Sequence, residues 1–237
     1  QTPLNEQDLK TMSEAVEVLR QFKGFSYFTE MSDIINRLED HVASARMKTT
    51  PVIDFEKNES LKGLDYLDTI YHAIVNEHPI QLKYRSFKAR SANSFIFYPY
   101  LLKEYRNRWF VYGVRGNGRI LQNLALDRIQ SLEVLPQEHY IKNTFFDPNT
   151  FFDDLVGVTK NSGSVAEKVG FKVAAAEAPY IITKPIHRSQ QLVERLPDGS
   201  VILEIEVVIN HELERVFFGY VDGIEILYPK TLVELMS

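Results

Sequence analysis

Between residues 84 and 128 the chain interleaves aromatic rings with arginines: Tyr84, Tyr100, Trp109 and Tyr112 lie among Arg106, Arg108, Arg115, Arg119 and Arg128. Rings of this kind stack on planar bases, and guanidinium groups hold phosphate or carboxylate through paired hydrogen bonds. The enrichment is local, because the 237-residue chain carries a formal net charge of −5. That balance disfavours duplex DNA as a direct partner, since such binding rests on neutralising phosphates with Lys and Arg. An aromatic and cationic platform for a phosphorylated, base-bearing ligand is the chemistry this pattern suggests.

Other chemistries find no support in the residues. The six histidines are scattered singly. The stretch His211-Glu212-Leu213-Glu214-Arg215 opens like a zinc-protease signature, but Arg215 stands where the second histidine ligand is needed. Glycine-rich GVRGNG (113–118) joins two strand patterns instead of leading into a helix N-terminus, so it reads as a hairpin loop and not a phosphate cradle. Asp153 and Asp154 are adjacent carboxylates best read as a solvated face. No Ser-His-Asp arrangement or nucleophile elbow is present. With no cysteine in the chain, disulfides and thiolate chemistry are excluded, which suits a cytoplasmic setting. The expectation is a protein that is not an enzyme and needs no metal or cofactor.

The elements that must position the platform follow from periodicity. Leu9, Met12, Val16 and Leu19, then Met31, Ile34, Ile35, Leu38 and Val42, recur at helical spacing and predict a helical pair. Pro51 and mixed polar residues mark a linker at 48–60. A helix is expected over 61–78, with Leu64, Leu67, Ile70, Tyr71, Ile74 and Val75 as its stripe. Strand patterns follow at 79–87, 94–105, 108–115, 119–126 and 128–135, joined by short connections suited to hairpins. Residues 136–165 read as a connector with a short helix near 149–157. Residues 166–237 alternate strand, helix, strand, strand, helix, strand, with Asp198-Gly199 as a turn and Asn210 as a helix N-cap. No apolar run approaches the roughly 18–20 residues that span a bilayer. Because the chain opens on Gln1, it is expected to be a piece of something longer.

Trp109-Phe110-Val111, the stretch YPYLLKE at 98–104 and the closing LALDRI at 124–129 together resemble the WYL domain of bacterial transcription regulators. Phe110 and Val111 are conservative departures from the naming triplet. Residues 166–237 look like the C-terminal extension that often follows such domains. The helical segment 1–60 is similar to the region linking the family's N-terminal winged helix-turn-helix to its WYL domain. The resemblance implies an α+β chain in four parts: a helical linker and dimerisation segment (1–60), a small Sm-like or SH3-like barrel (61–135), a connector (136–165) and a ferredoxin-like βαββαβ extension (166–237). It implies a regulator whose barrel senses an effector, a nucleotide or single-stranded nucleic acid among the candidates, and resets an attached DNA-binding domain. Nothing in this chain has the look of a recognition helix with basic flanks.

On this resemblance the effector should meet Tyr84, Ser86, Tyr100, Trp109, Gln122 and Arg128, converging from separate strands. Trp109 alternates with Phe110, so one of the two faces the core, which leaves Trp109 open between packing and ligand contact. Asp127 reads as an ion-pairing or turn-closing residue, and Arg128 beside it as the ligand-facing cation of its strand. Gln122 stands where many family members carry an arginine, and with Ala125 before Leu126 the pocket has fewer cations; a neutral or singly charged ligand suits it better. The chain is expected to form a homodimer through the apolar stripes of residues 1–47, and to reach duplex DNA only through a further domain. The competing reading is a structural interaction module, in which the aromatic and arginine surface is a protein interface.

Overall fold

The computed structural model describes Thr11 and residues 61–118 and 120–236. Apart from Thr11, the segment 1–60, expected to be helical and to serve in dimerisation, lies outside the described residues, as does Arg119. The described chain divides into two compact units, one taking in 61–117 and 124–142, the other 118–123 and 143–236.

In the first unit, Gly63 introduces a 3-10 turn at Leu64–Tyr66 that runs into helix α1, Leu67–Val75. Leu64, Leu67, Ile70 and Ala73 fall on one face and are buried. Tyr71 and Val75, expected in the same stripe, are exposed; at about 100° per residue both turn away from the row made by Leu67, Ile70 and Ala73. The helix ends before Pro79: the Asn76 backbone N–H and side-chain amide both donate to the His72 carbonyl, and Glu77 takes a left-handed φ of 53°.

Five strands follow, β1 (Ile80–Tyr84), β2 (Asn93–Tyr105), β3 (Arg108–Arg115), β4 (Leu121–Ala125) and β5 (Ile129–Val134), in the order β4-β3-β2-β1-β5. β1 pairs antiparallel with β2 and β5, and β2 with β3. The expectation of a small barrel is met as far as this five-stranded sheet. β4 and β5 stand at opposite ends of the order, so the barrel is not closed. Ile80, Leu82, Phe97, Val111, Leu124, Leu126 and Ile129 meet the helix stripe in one core, each contributing about 1.5–3 kcal/mol by leaving water. Two left-handed residues, Arg106 (φ 49°) and Asn107 (φ 61°), make the two-residue β2–β3 hairpin turn, the backbone a twisted hairpin requires.

The second unit orders β6 (Glu167–Val173), α2 (Ala178–Thr183), β7 (Gln191–Arg195), β8 (Val201–Val207), α3 (His211–Phe218), β9 (Ile224–Tyr228) and α4 (Lys230–Met236) along the chain. Its strands pair antiparallel in the order β7-β8-β6-β9. Alternate residues Val169, Phe171, Val173 and Val201, Leu203, Ile205, Val207 face the helices and form the core with Ile181, Leu213, Phe217 and Leu232. The period of two is what a sheet with one covered face requires. Asn210 caps α3 as expected, its side chain accepting from Leu213 N–H at 2.8 Å and donating to the carbonyls of Val156 and Thr159 at 2.9 Å each. Residues 149–157, expected to be a short helix, are instead a run of turns. Asp147 starts a helical turn, its side chain accepting from the Asn149 N–H and its carbonyl from the Phe151 N–H at 2.9 Å, but the pattern is not continued beyond Leu155, whose N–H goes to the Phe152 carbonyl at 3.2 Å. Helix α4 was not legible in the periodicity. The fold is thus α+β, with two antiparallel sheets and helices packed in each unit.

A glycine holds the first unit tight. At Gly63 (φ 83°) an added Cβ would lie 2.3 Å from the Leu126 carbonyl carbon and 2.6 Å from the Asp127 amide nitrogen, whereas at Gly116 (φ 53°) it would meet nothing within 4 Å. Gly116→Ala should cost about 1–2 kcal/mol from its φ alone. Gly63→Ala should cost measurably more, because backbone cannot move aside as a side chain can. Urea unfolding of the two variants side by side tests this, and equal losses would contradict the tight approach.

Candidate functional site

The charged pair of the closing segment does not sit on a strand. β4 ends at Ala125, Leu126–Arg128 form a 3-10 turn, and β5 begins at Ile129, whose N–H returns to the Leu126 carbonyl. Arg128 therefore belongs to this turn and not to a strand face as expected. Leu126 is buried in the first core and anchors the turn, with Asp127 and Arg128 half-buried beside it.

Each charge has a defined neighbour. Asp127 Oδ2 lies 3.4 Å from an Arg108 guanidinium nitrogen, the aspartate side chain 15% exposed and the arginine 47%. A pair this open on one side contributes about 0–1 kcal/mol, but it ties the start of β3 to the turn. The Arg128 guanidinium carbon sits 4.5 Å from the centre of the Phe87 ring, within cation–π range. Two buried polar atoms here, Asp127 Oδ1 and Arg128 Nε, have no hydrogen-bond partner among the described residues. A buried donor left unmade costs about 1–3 kcal/mol.

Of the expected site residues, the structure gathers Tyr84, Ser86 and Arg128. Burial raises the Tyr84 pKa, opposed by the neighbouring Arg128 charge and by hydrogen bonds to the Ala125 backbone and to Arg128 itself. Ser86 lies in the β1–β2 loop, which is tied to the turn by Arg85 N–H donating to the Arg128 carbonyl at 3.1 Å. Trp109 is half-buried on β3 and packs against the first core, opposite Glu104 in the register. Gln122 is half-buried on β4, among the residues grouped with the second unit.

Tyr100 is not brought to this group. It is 8% exposed and packs edge-on to Tyr140, which also meets Tyr98 and donates its hydroxyl to the Pro99 carbonyl. Phe97 faces the helix-covered core, and Tyr98, the next residue, therefore faces away from it. The irregular pairing between Pro99 and Leu101 leaves Tyr100 on Tyr140 as well. Burial, with a smaller contribution from Tyr98, pushes the Tyr100 pKa up to about 12, and burial raises that of Tyr140 also.

The arginines gathered in the sequence thus serve several places. Arg115 lies 4.1 Å over Phe95, Arg106 5.5 Å over Tyr105, Arg108 pairs with Asp127 and Arg128 covers Phe87. Their ring partners are mostly phenylalanines that the strand pattern did not single out. Phe87, expected as the last residue of a strand over 79–87, lies instead in the β1–β2 loop, because β1 ends at Tyr84.

Residues 65–134 match the WYL domain family, and residues 166–237 match the WCX domain family. No curated protein matches the chain. Among solved structures it is similar to proteasome accessory factor B/C (PafBC) of Arthrobacter aurescens, at 16% identity and a TM-score of 0.32, over 76% of this chain and 27% of that one. It is also similar to a CRISPR Cas-related protein, at 11% identity and a TM-score of 0.46, over 99% of this chain and 85% of that one. The chain therefore spans little more than a quarter of the PafBC chain. No helix among the described residues is long and apolar enough to cross a membrane.

The tyrosine shifts set an alkaline limit. A pKa raised on folding contributes stability that is whole below the unfolded value near 10 and is lost as pH rises through the folded value. For Tyr100 that window runs from about 10 to about 12. Urea midpoints should fall across it, and Tyr100→Phe should flatten the part of the fall that Tyr140 and Tyr84 do not share. An unchanged pH profile in the variant would contradict the assignment.

Proposed function

We propose that this chain, which belongs to the WYL-domain family and carries a WCX domain behind that module, is the effector-sensing and dimerising region of a bacterial transcription regulator. On this reading the five-stranded sheet is an open form of an Sm-like barrel, with β4 and β5 at its two edges. The order β7-β8-β6-β9, with α2, α3 and α4 contributing to one core, supports a ferredoxin-like reading of the WCX domain. An effector, nucleotide-like or another small molecule, binds beside Arg128 and biases the dimer between two arrangements. The attached winged helix-turn-helix, and not this acidic chain, then meets duplex DNA. The role is that of a switch and involves no catalysis.

The observation that carries the reading is the buried Nε–H of Arg128, which lacks an acceptor among the described residues although Tyr84 and Phe87 hold the guanidinium in place. A purely structural arginine would be expected to spend that donor on the protein. Trp109 and Asp127 fit the supporting role, one packed on the core and the other paired with Arg108. Tyr100 and Gln122 have weaker claims on the same ligand.

Coupling of an effector to a dimer needs only about 1–3 kcal/mol of preference between arrangements. Native mass spectrometry of protein isolated from cells should show a bound small molecule. Arg128→Ala should weaken that ligand by about tenfold or more, the loss expected for a charge-assisted hydrogen bond, with little change in melting temperature. A lowered melting temperature with unchanged ligand affinity would instead make Arg128 structural and favour the interaction-module reading. Light scattering at micromolar concentration should give a dimer, and a monomer there would remove the dimerising half of the proposal.

A further inference from the structure

We propose that Asn117 is a site of covalent modification, at which its side-chain amide closes onto the Gly118 nitrogen, ammonia leaves, and the β3–β4 loop gains a carboxylate. Water is the only co-reactant. The Gly118 nitrogen attacks Asn117 Cγ and gives up its proton, the Cγ–Nδ2 bond breaks, and the departing nitrogen takes that proton as ammonia. Water then opens the five-membered imide at either carbonyl, giving aspartate or isoaspartate; in the latter the backbone runs through the side-chain carbon. Such a ring closes fast only in an open loop, with a glycine next, an uncommitted amide nitrogen and a side chain free to swing.

The loop meets each condition. The β2–β3 ladder runs out where Phe97 faces Arg115, Gly116 N–H donates to the Ile96 carbonyl at 2.8 Å, and β4 begins only at Leu121. Asn117 and Gly118, in between, are exposed. Among the described residues no hydrogen bond engages the Asn117 side chain or the Gly118 N–H. At Gly116 an added Cβ would meet nothing within 4 Å, so the turn has room to rearrange. Two aspartates also precede a glycine, Asp198 and Asp222, and could close in the same way with loss of water. Both steps are held shut. Asp198 Oδ1 accepts from the Ser200 N–H at 2.9 Å and from its hydroxyl, while Gly199 N–H donates to the Leu196 carbonyl at 3.0 Å. Gly223 N–H donates to the Tyr220 carbonyl at 2.7 Å. A nitrogen committed in this way must first give up its bond, which raises the barrier. The product changes its surroundings, because between Glu104 and Asp127 the sequence holds Arg106, Arg108, Arg115 and Arg119 and no acid. The new carboxylate is the first negative charge of that stretch.

The test ages the whole 237-residue chain for weeks at mildly alkaline pH, folded and in urea, and then cleaves it after glutamate. The peptide 105–133 holds Asn107, Asn117 and Asn123 together, and fragmentation mass spectrometry reads each one. Folded protein should lose the Asn117 amide about tenfold faster than the other two, a difference of about 1.4 kcal/mol in barrier. Its rate should lie within about fivefold of the rate in urea, because an open loop reacts without unfolding. Isoaspartate at Asp198, by contrast, should form faster in urea than in the folded chain. Methyl transfer from labelled S-adenosylmethionine by an isoaspartyl carboxyl methyltransferase reports the isoaspartyl product. In folded protein that label should fall to background in Asn117→Gln, whose longer side chain closes poorly. Gly118→Ala should slow amide loss about fivefold or more, since a Cβ crowds the approach of nitrogen to carbon. Asn117 reacting no faster than Asn107 or Asn123 overturns the site. So does a folded rate below that window, or methyl incorporation that survives Asn117→Gln.

Discussion

The close approach of two backbones, Gly63 at the head of α1 and Leu126–Asp127 in the 3-10 turn, is the constraint on which the first unit depends. Glycine's missing Cβ lets the helix start lie directly on the turn. Leu126 then enters the core beside Leu64 and Leu67, so the same residue that completes the hydrophobic cluster also fixes where the chain leaves β4. Asp127 and Arg128 are carried on a segment that can neither slide nor flatten into a strand. Charges carried on such a turn are preorganised, because the apolar packing that stabilises the domain also positions them.

Around that turn, charge is distributed by aromatic rings as much as by carboxylates. Arg115 and Arg128 each lie over a phenylalanine, and Arg106 lies over Tyr105. Among the described residues only Arg108 in this group has an acidic partner, through Asp127. A guanidinium over a ring keeps its N–H groups in the ring plane's periphery, available to a further acceptor, whereas one forked onto a carboxylate spends them. The arrangement therefore tolerates a concentration of positive charge that direct pairing would have cancelled.

Much of this was legible in the sequence where one period ruled a whole element. β3 was read over its full extent, and Asn210 was identified as the α3 cap, because strand alternation and N-cap chemistry act locally. The expectation failed where two signals competed. Residues 124–135 look like two strands in succession, yet Leu126 is demanded by the core and the chain breaks into a 3-10 turn to deliver it; no local pattern encodes that demand. Tyr100 was placed with Tyr84 because both sit on neighbouring strands, but the irregular β2–β3 pairing at Pro99 and the arrival of Tyr140 from far along the chain assign it to another cluster. Phe87 was read as the end of a strand over 79–87, but β1 stops at Tyr84 and the residue falls in the loop beyond it, a boundary that alternation alone does not mark.

Trp109 is the chain's only tryptophan, and its indole packs on the core of the first unit. Emission excited near 295 nm is accordingly a private optical signal of one half of the molecule, while far-ultraviolet ellipticity sums both sheets and their helices. The ratio of the two along a denaturation curve measures the cooperativity between the units. Coincident curves mean that they lose structure as one, and separated curves give each its own stability without a label or a truncation.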